Sequence, residues 1–141
     1  GARGPFGEFA PDSELNRWFR KAYEERYAVA PSYPAYKMAQ ALLGLKAAWE
    51  KAQAANGGKR PSQDQVVASF EHLSFEGPGG KVDMALGKGH QAVQGTAYGI
   101  TKNVGGKVTL TDVKTYPAAK VTPPDGVKSE DWIKSGFKPG K

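Results

Sequence analysis

YPAYKMAQALLGLKAAW, residues 33–49, is a helical stretch whose entrance holds two tyrosines and a proline. Pro34 suits a first turn, where a backbone N–H has no intrahelical partner to lose. Ala39, Leu42, Leu43, Ala47 and Trp49 recur at helical spacing and are expected on its buried sides. Gly57 and Gly58 predict a stop near Ala55, since glycine accepts the left-handed backbone that ends a helix. Helices usually open on a small polar cap. Rings at the entrance instead suggest a surface that touches something flat or apolar. The free N–H groups and partial positive charge of a helix start also suit a carboxylate. Tyr33 and Tyr36 therefore have two open placements: lining a ligand site, or packed in the core against Trp18 or Phe19.

Working outward, Asp12 and Ser13 are cap residues for an earlier helix. Its apolar stripe is Leu15, Trp18, Phe19, Ala22, Tyr23, Arg26 and Tyr27, and Pro31 bounds it. Gly1 to Pro11 reads as a connecting loop. Downstream, Ser62 and Gln65 have capping-box spacing, and Val66, Val67 and Phe70 give a third helix its apolar face. After His72 the period changes. SFEGPGGKVDMAL (residues 74–86) predicts a strand, a turn at Gly77–Gly80, and a second strand with Val82, Met84 and Leu86 alternating inward. TAYGIT and KVTLTDVKTY are further strands, with Asn103–Gly106 as their hairpin turn. Pro123 and Pro124 break the pattern, and a short helical turn is expected at Ser129–Lys134. A freestanding α/β domain alternates strand and helix. Three helices followed by short strands imply either an α+β domain or an α/β fold whose other strands lie in sequence outside these residues.

The 141 residues suit one domain, and their 39% hydrophobic and 11% aromatic content suits a packed core. No cysteine is present, which excludes a disulfide-stapled small domain. No apolar run reaches the roughly 20 residues of a membrane span. The first residues, GARGPFGEF, show no start Met and no charged-then-apolar leader, so a mature start or an internal point of a longer protein is expected. Net charge is +6, and residues 102–141 carry eight basic and four acidic side chains. Those lysines are spread singly, whereas nucleic-acid binders gather charge into a patch, so no nucleic-acid partner is expected.

Catalytic chemistry finds few candidates. With no Cys and only His72 and His90, neither a thiol nucleophile nor a multi-histidine metal site can form, and no catalytic or metal residue is named. His90, in GKGHQAVQ, would be a structural histidine or a loop base. Glu24–Glu25 and Glu130–Asp131 are sequence neighbours that diverge on a helix and read as solvated charge. GPGGK and GKGH lack phosphate-loop spacing and read as turns. No enzyme activity and no cofactor are expected.

NxWFxxAYxxRY (Asn16–Tyr27), PSYPAY (Pro31–Tyr36), ALLGLKAA (Ala41–Ala48), SFEGPGGKV (Ser74–Val82) and GHQAVQ (Gly89–Gln94) occur in that order. Together they resemble the closing section of type I bacterial extracellular solute-binding proteins, the receptors of ABC importers for branched-chain amino acids and related compounds. The resemblance spans roughly residues 1–125 and implies part of a two-lobe α/β fold with a three-stranded hinge, incomplete in this chain. It implies that residues 1–125 belong to the N-terminal lobe after the last hinge crossing, and that residues 126–141 are a C-terminal tail. It further implies a small-molecule ligand (an amino acid or aromatic acid), an ABC permease, and the remainder of the same protein as partners. A precursor signal peptide and a periplasmic, or extracellular and membrane-associated, location also follow from it. Tyr33 and Tyr36 carry over as ligand contacts, with Phe6 and Arg3 beside the hinge. Two tyrosines and Phe6 hint at a flat ligand. The other class of function is a small basic α+β interaction module for an anionic partner. Clustered exposed lysines would favour the module, and an exposed apolar flank where other strands should pair would favour the receptor portion.

Overall fold

Capping chemistry sets the helices. The computed structural model describes residues 2–4, 6–84, 92–124 and 126–138, with all their side chains except those of residues 2, 3 and 8. Leu86 and the GKGH loop with His90 lie outside the described residues. Helix α1 spans Glu14–Tyr27, and its N-cap Ser13 accepts the Asn16 N–H. Helix α2 spans Tyr33–Ala55 with Pro34 in its first turn. Helix α3, Gln63–Ser69, opens on the Ser62–Gln65 capping box in both of its hydrogen bonds. Two short helices follow late in the chain, α4 at Ala118–Val121 and α5 at Ser129–Lys134. No helix among the described residues is long and apolar enough to cross a membrane.

The strands form two antiparallel sheets. In one, β2 (Ser74–Gly77) pairs with β3 (Gly80–Met84), and β3 pairs with β4 (Ala92–Val93). In the other, β5 (Thr96–Val104) lies between β6 (Lys107–Tyr116) and β1 (Ala2–Gly4). The β5–β6 turn falls where the sequence predicts it. Gly105 and Gly106 both take positive φ, 59° and 82°, which side chains with a Cβ resist. The Asn103 carboxamide oxygen accepts the Gly106 N–H at 3.0 Å and closes the turn.

Gly1–Pro11 is not simply a connecting loop. Ala2–Gly4 pairs with Ala97–Gly99 of β5, and Gly7–Phe9 forms a 3-10 turn. The pairing partner lies more than ninety residues away, so local composition could not reveal it.

The core forms where α2 and α3 meet β2 and β3. Ala48, Ala52, Val66, Leu73 and Met84 are buried together, with Ala47, Phe70 and Phe75 packed against them. Val82 is fully buried, and Met84 alternates inward with it as expected. The packed stripe of α2 is made of small residues. A Cβ on Gly44 would lie 2.7 Å from Phe75 Cζ, so glycine is what lets β2 approach the helix. Leu42 and Trp49, expected inside, are instead on an exposed stripe with Met38 and Leu45, and Leu42 is 61% exposed. Close approach selects the small side, and periodicity alone ranks large apolar residues first. Trp18 and Tyr27 of α1 and Val67 of α3 are likewise exposed despite their place on apolar stripes.

Candidate ligand site at the entrance of helix α2

Tyr33 and Tyr36 have different surroundings. Tyr36 is 2% exposed, its ring edge-on to Phe19 at 5.0 Å between centroids. Its hydroxyl donates to Asn16 Oδ1 at 2.8 Å, while Asn16 Nδ2 donates to the Pro11 carbonyl at 3.0 Å. Buried Asn16 is thus satisfied from both ends of its carboxamide. This chain of bonds fastens the start of α1 to the start of α2. Burial raises the Tyr36 phenol above its ordinary value, against a smaller opposing pull from Arg20. Tyr36 therefore adopts the core placement that the sequence left open.

Tyr33 is 50% exposed. Phe6 meets it edge-to-face with ring centroids 5.2 Å apart, and the Lys37 ammonium lies 5.7 Å from its ring centre. Phe6 is in extended backbone just before the 3-10 turn, and Gly7 follows at φ +56°, a bend that favours glycine. Arg3 sits in β1 opposite Tyr98, within a few residues of Phe6, and its side chain is among those not described. Of the four residues expected to bind, the structure brings Phe6 and Tyr33 together and buries Tyr36 against Phe19.

Lys37 and Gln94 complete the surroundings, and neither was singled out from the sequence. Lys37 Nζ donates to Gln94 Oε1 at 2.9 Å and to Gln40 Oε1 at 3.2 Å. Gln94 Nε2 in turn donates to the carbonyls of Gly79 and Gly80, at 3.2 and 3.4 Å. The turn between β2 and β3 is thereby tied to α2. Burial lowers the Lys37 pKa below its ordinary value, because a charged ammonium is costly to remove from water. Tyr33, Lys37, Gln40 and Gly44 follow at four- and three-residue steps on one face of α2, a spacing that could have flagged Lys37. Two rings, an ammonium and two carboxamides can hold a flat, polar-ended molecule.

A groove of about 850 Å³ lies elsewhere. It is bounded by Leu73, Met84, Val93, Pro123, Trp132 and Phe137. Its walls are mainly apolar surface of the core margin and the late chain, where Trp132 meets the exposed Phe137 edge-on at 5.1 Å, with His72, Asp83 and Lys120 also at its margin. No group of three or more metal-ligating side chains occurs among the described residues.

No protein-family model matches the chain, and no curated protein matches it. Solved structures do. An ABC-type branched-chain amino acid transporter protein from Rhodopseudomonas palustris is 19% identical, with a TM-score of 0.67 over 82% of this chain and 30% of its own. A solute-binding protein of an ABC transporter from Rhodopseudomonas palustris BisB5, in complex with 3,4-dihydroxybenzoic acid, gives the same coverage and identity at a TM-score of 0.64. A third ABC transporter protein from that species is 21% identical, with a TM-score of 0.54 over 63% of this chain and 25% of its own. At such identities the likeness establishes fold, and the chain spans about 30% of the length of the first of these relatives. The resemblance carried by the sequence motifs thus holds at the level of architecture: the chain has part of the periplasmic-binding-protein fold found in the solute-binding proteins of ABC transporters.

Proposed function

We propose that this chain is the part of a two-lobed receptor that carries one wall of its ligand cleft, and that the receptor delivers a small acid to an ABC importer. Residues 1–125 would belong to the N-terminal lobe and residues 126–141 to a tail, in a periplasmic protein without catalysis of its own. The observation that carries this reading is the Phe6–Tyr33 ring pair, half open to solvent beside the Lys37 ammonium. It occurs on a fold whose relative binds an aromatic acid. Phe6 and Tyr33 would contact the ligand, Arg3 would lie at the hinge side, and Tyr36 would hold the helix entrance from behind. The exposed stripe Met38, Leu42, Leu45 and Trp49 supports a longer protein, because such a row is normally covered by further chain. The stripe lies on a helix and not at a sheet margin where further strands would pair, so it supports the receptor portion over a basic interaction module only as uncovered apolar surface.

Binding by ring contact and a few polar groups, followed by lobe closure, fits a population shift between open and closed forms. Calorimetric titration of the native gene product with 3,4-dihydroxybenzoate, benzoate and leucine tests the proposal. Saturable binding of an aromatic acid is expected. Tight leucine binding with no response to either aromatic acid would overturn the flat-ligand assignment, and no binding of any of the three would overturn the receptor itself. The intact mass of the gene product, expected well above this chain's 15.1 kDa, tests the longer protein separately.

A further inference from the structure

We infer that Lys37 is the ionic contact for the ligand's acid group, an inference that rests on the receptor reading above and adds the residue that selects for charge. An ammonium has three N–H donors. Two of them meet neutral carboxamide oxygens, those of Gln94 and Gln40, neither of which cancels the charge. Among the described residues the ion pairs involve Arg17, Arg20, Lys21, Lys46 and Lys81, and Lys37 joins none of them. The first turn of α2 contains no acidic side chain. The cation is therefore partly desolvated, oriented and short of an anion.

Its place fits one kind of anion. The ammonium stands 5.7 Å from the centre of the Tyr33 ring, which is itself edge-on to Phe6. A planar acid laid against these rings brings its carboxylate toward Nζ while its own ring stays on the aromatic pair. The third N–H then meets a charged acceptor, a stronger bond than either carboxamide provides. The carboxylate also offsets the burial that lowers the Lys37 pKa. Gln40 and Gln94 hold the ammonium in place beforehand, so little side-chain freedom is lost on binding.

The test uses the native gene product and two probes, 3,4-dihydroxybenzoate and the uncharged 3,4-dihydroxybenzamide, titrated by calorimetry. The wild type is expected to prefer the acid, and Lys37→Met to lose roughly tenfold or more of acid affinity with little change for the amide. Lys37→Arg, which keeps the charge, should recover part of the loss. Equal weakening toward acid and amide would overturn the inference, because Lys37 would then only shape the site through its contacts with Tyr33 and Gln94. Unchanged acid affinity in Lys37→Met would overturn it as well. Should Lys37→Met fail to fold, the wild type still decides. Benzoate affinity must fall as pH rises through the Lys37 titration while the affinity for benzamide, which has no group ionising there, stays level, and a flat benzoate profile is fatal to the idea. If the wild type binds neither probe, the receptor reading itself has failed.

Discussion

The two stripes of α2 invert the usual rule of large inside and small outside. Gly44, Ala48 and Ala52 are buried, while Met38, Leu42, Leu45 and Trp49 face outward. The small stripe is a matter of distance: β2 lies so close that Phe75 occupies the space a side chain at residue 44 would need. The large stripe has no such neighbour among the described residues. Under the receptor reading, a helix with one closely packed side and one large uncovered apolar side would lie between two layers, of which the described residues supply one.

The largest effect should come from filling the small side. Gly44→Leu is expected to lower the unfolding free energy of the native gene product by about 3 kcal/mol, because Phe75 or β2 must move. Urea denaturation measures it, and a change under about 1 kcal/mol would mean the approach is softer than the geometry implies. The large side comes next. Leu42→Gln in the native gene product should cost about 2 kcal/mol if further chain covers the stripe, and less than about 0.5 kcal/mol if the stripe stays in water. Those two results separate a sandwiched helix from a surface helix. Tyr36→Phe should cost about 1–2 kcal/mol, since it strands the Asn16 acceptor that the phenol satisfies. If Tyr36 also braces the ring at Tyr33 from behind, ligand affinity will weaken in step with stability.

Much of the secondary structure was legible because its signals are local. The Ser62–Gln65 box, the Ser13 cap, the double glycine after α2 and the Asn103–Gly106 turn each act within four residues, and each works as the sequence implies. Strand β1 was illegible because three residues have no period, and their partner is β5, more than ninety residues further along the chain. The inverted stripes of α2 were misread for a related reason. Hydrophobicity ranks Leu42 above Gly44, and only the position of Phe75 reverses that order. The candidate site was half legible. Tyr33 and Phe6 stand out as aromatic residues near a helix entrance, but Gln94 reaches Lys37 from 57 residues away, and nothing in either segment announces the meeting.

The weakest effect is expected in the pH dependence, and it bears on the part of the small-residue stripe nearest the proposed ligand site. Lys37 has a folded-state pKa below its ordinary 10.5, owing to burial. Below the folded value it is charged in both states, and folding carries the full cost of desolvating it. As pH rises through the folded value the native state releases its proton first, the unfolded state then holds more protons, and stability increases until 10.5 is passed. Tyr36 works in the opposite sense above its ordinary 10.0, since the unfolded phenol ionises before the native one. Subtracting the profile of Lys37→Met from that of the wild type removes the tyrosine contribution and leaves the lysine gain as a small upward step. Repeating the subtraction with saturating 3,4-dihydroxybenzoate should flatten or reverse the step, because a carboxylate beside Nζ stabilises the charged form. A step that survives saturation unchanged would place the acid group away from Lys37. The charge on the small-residue side of α2 would then serve the turn between β2 and β3 alone.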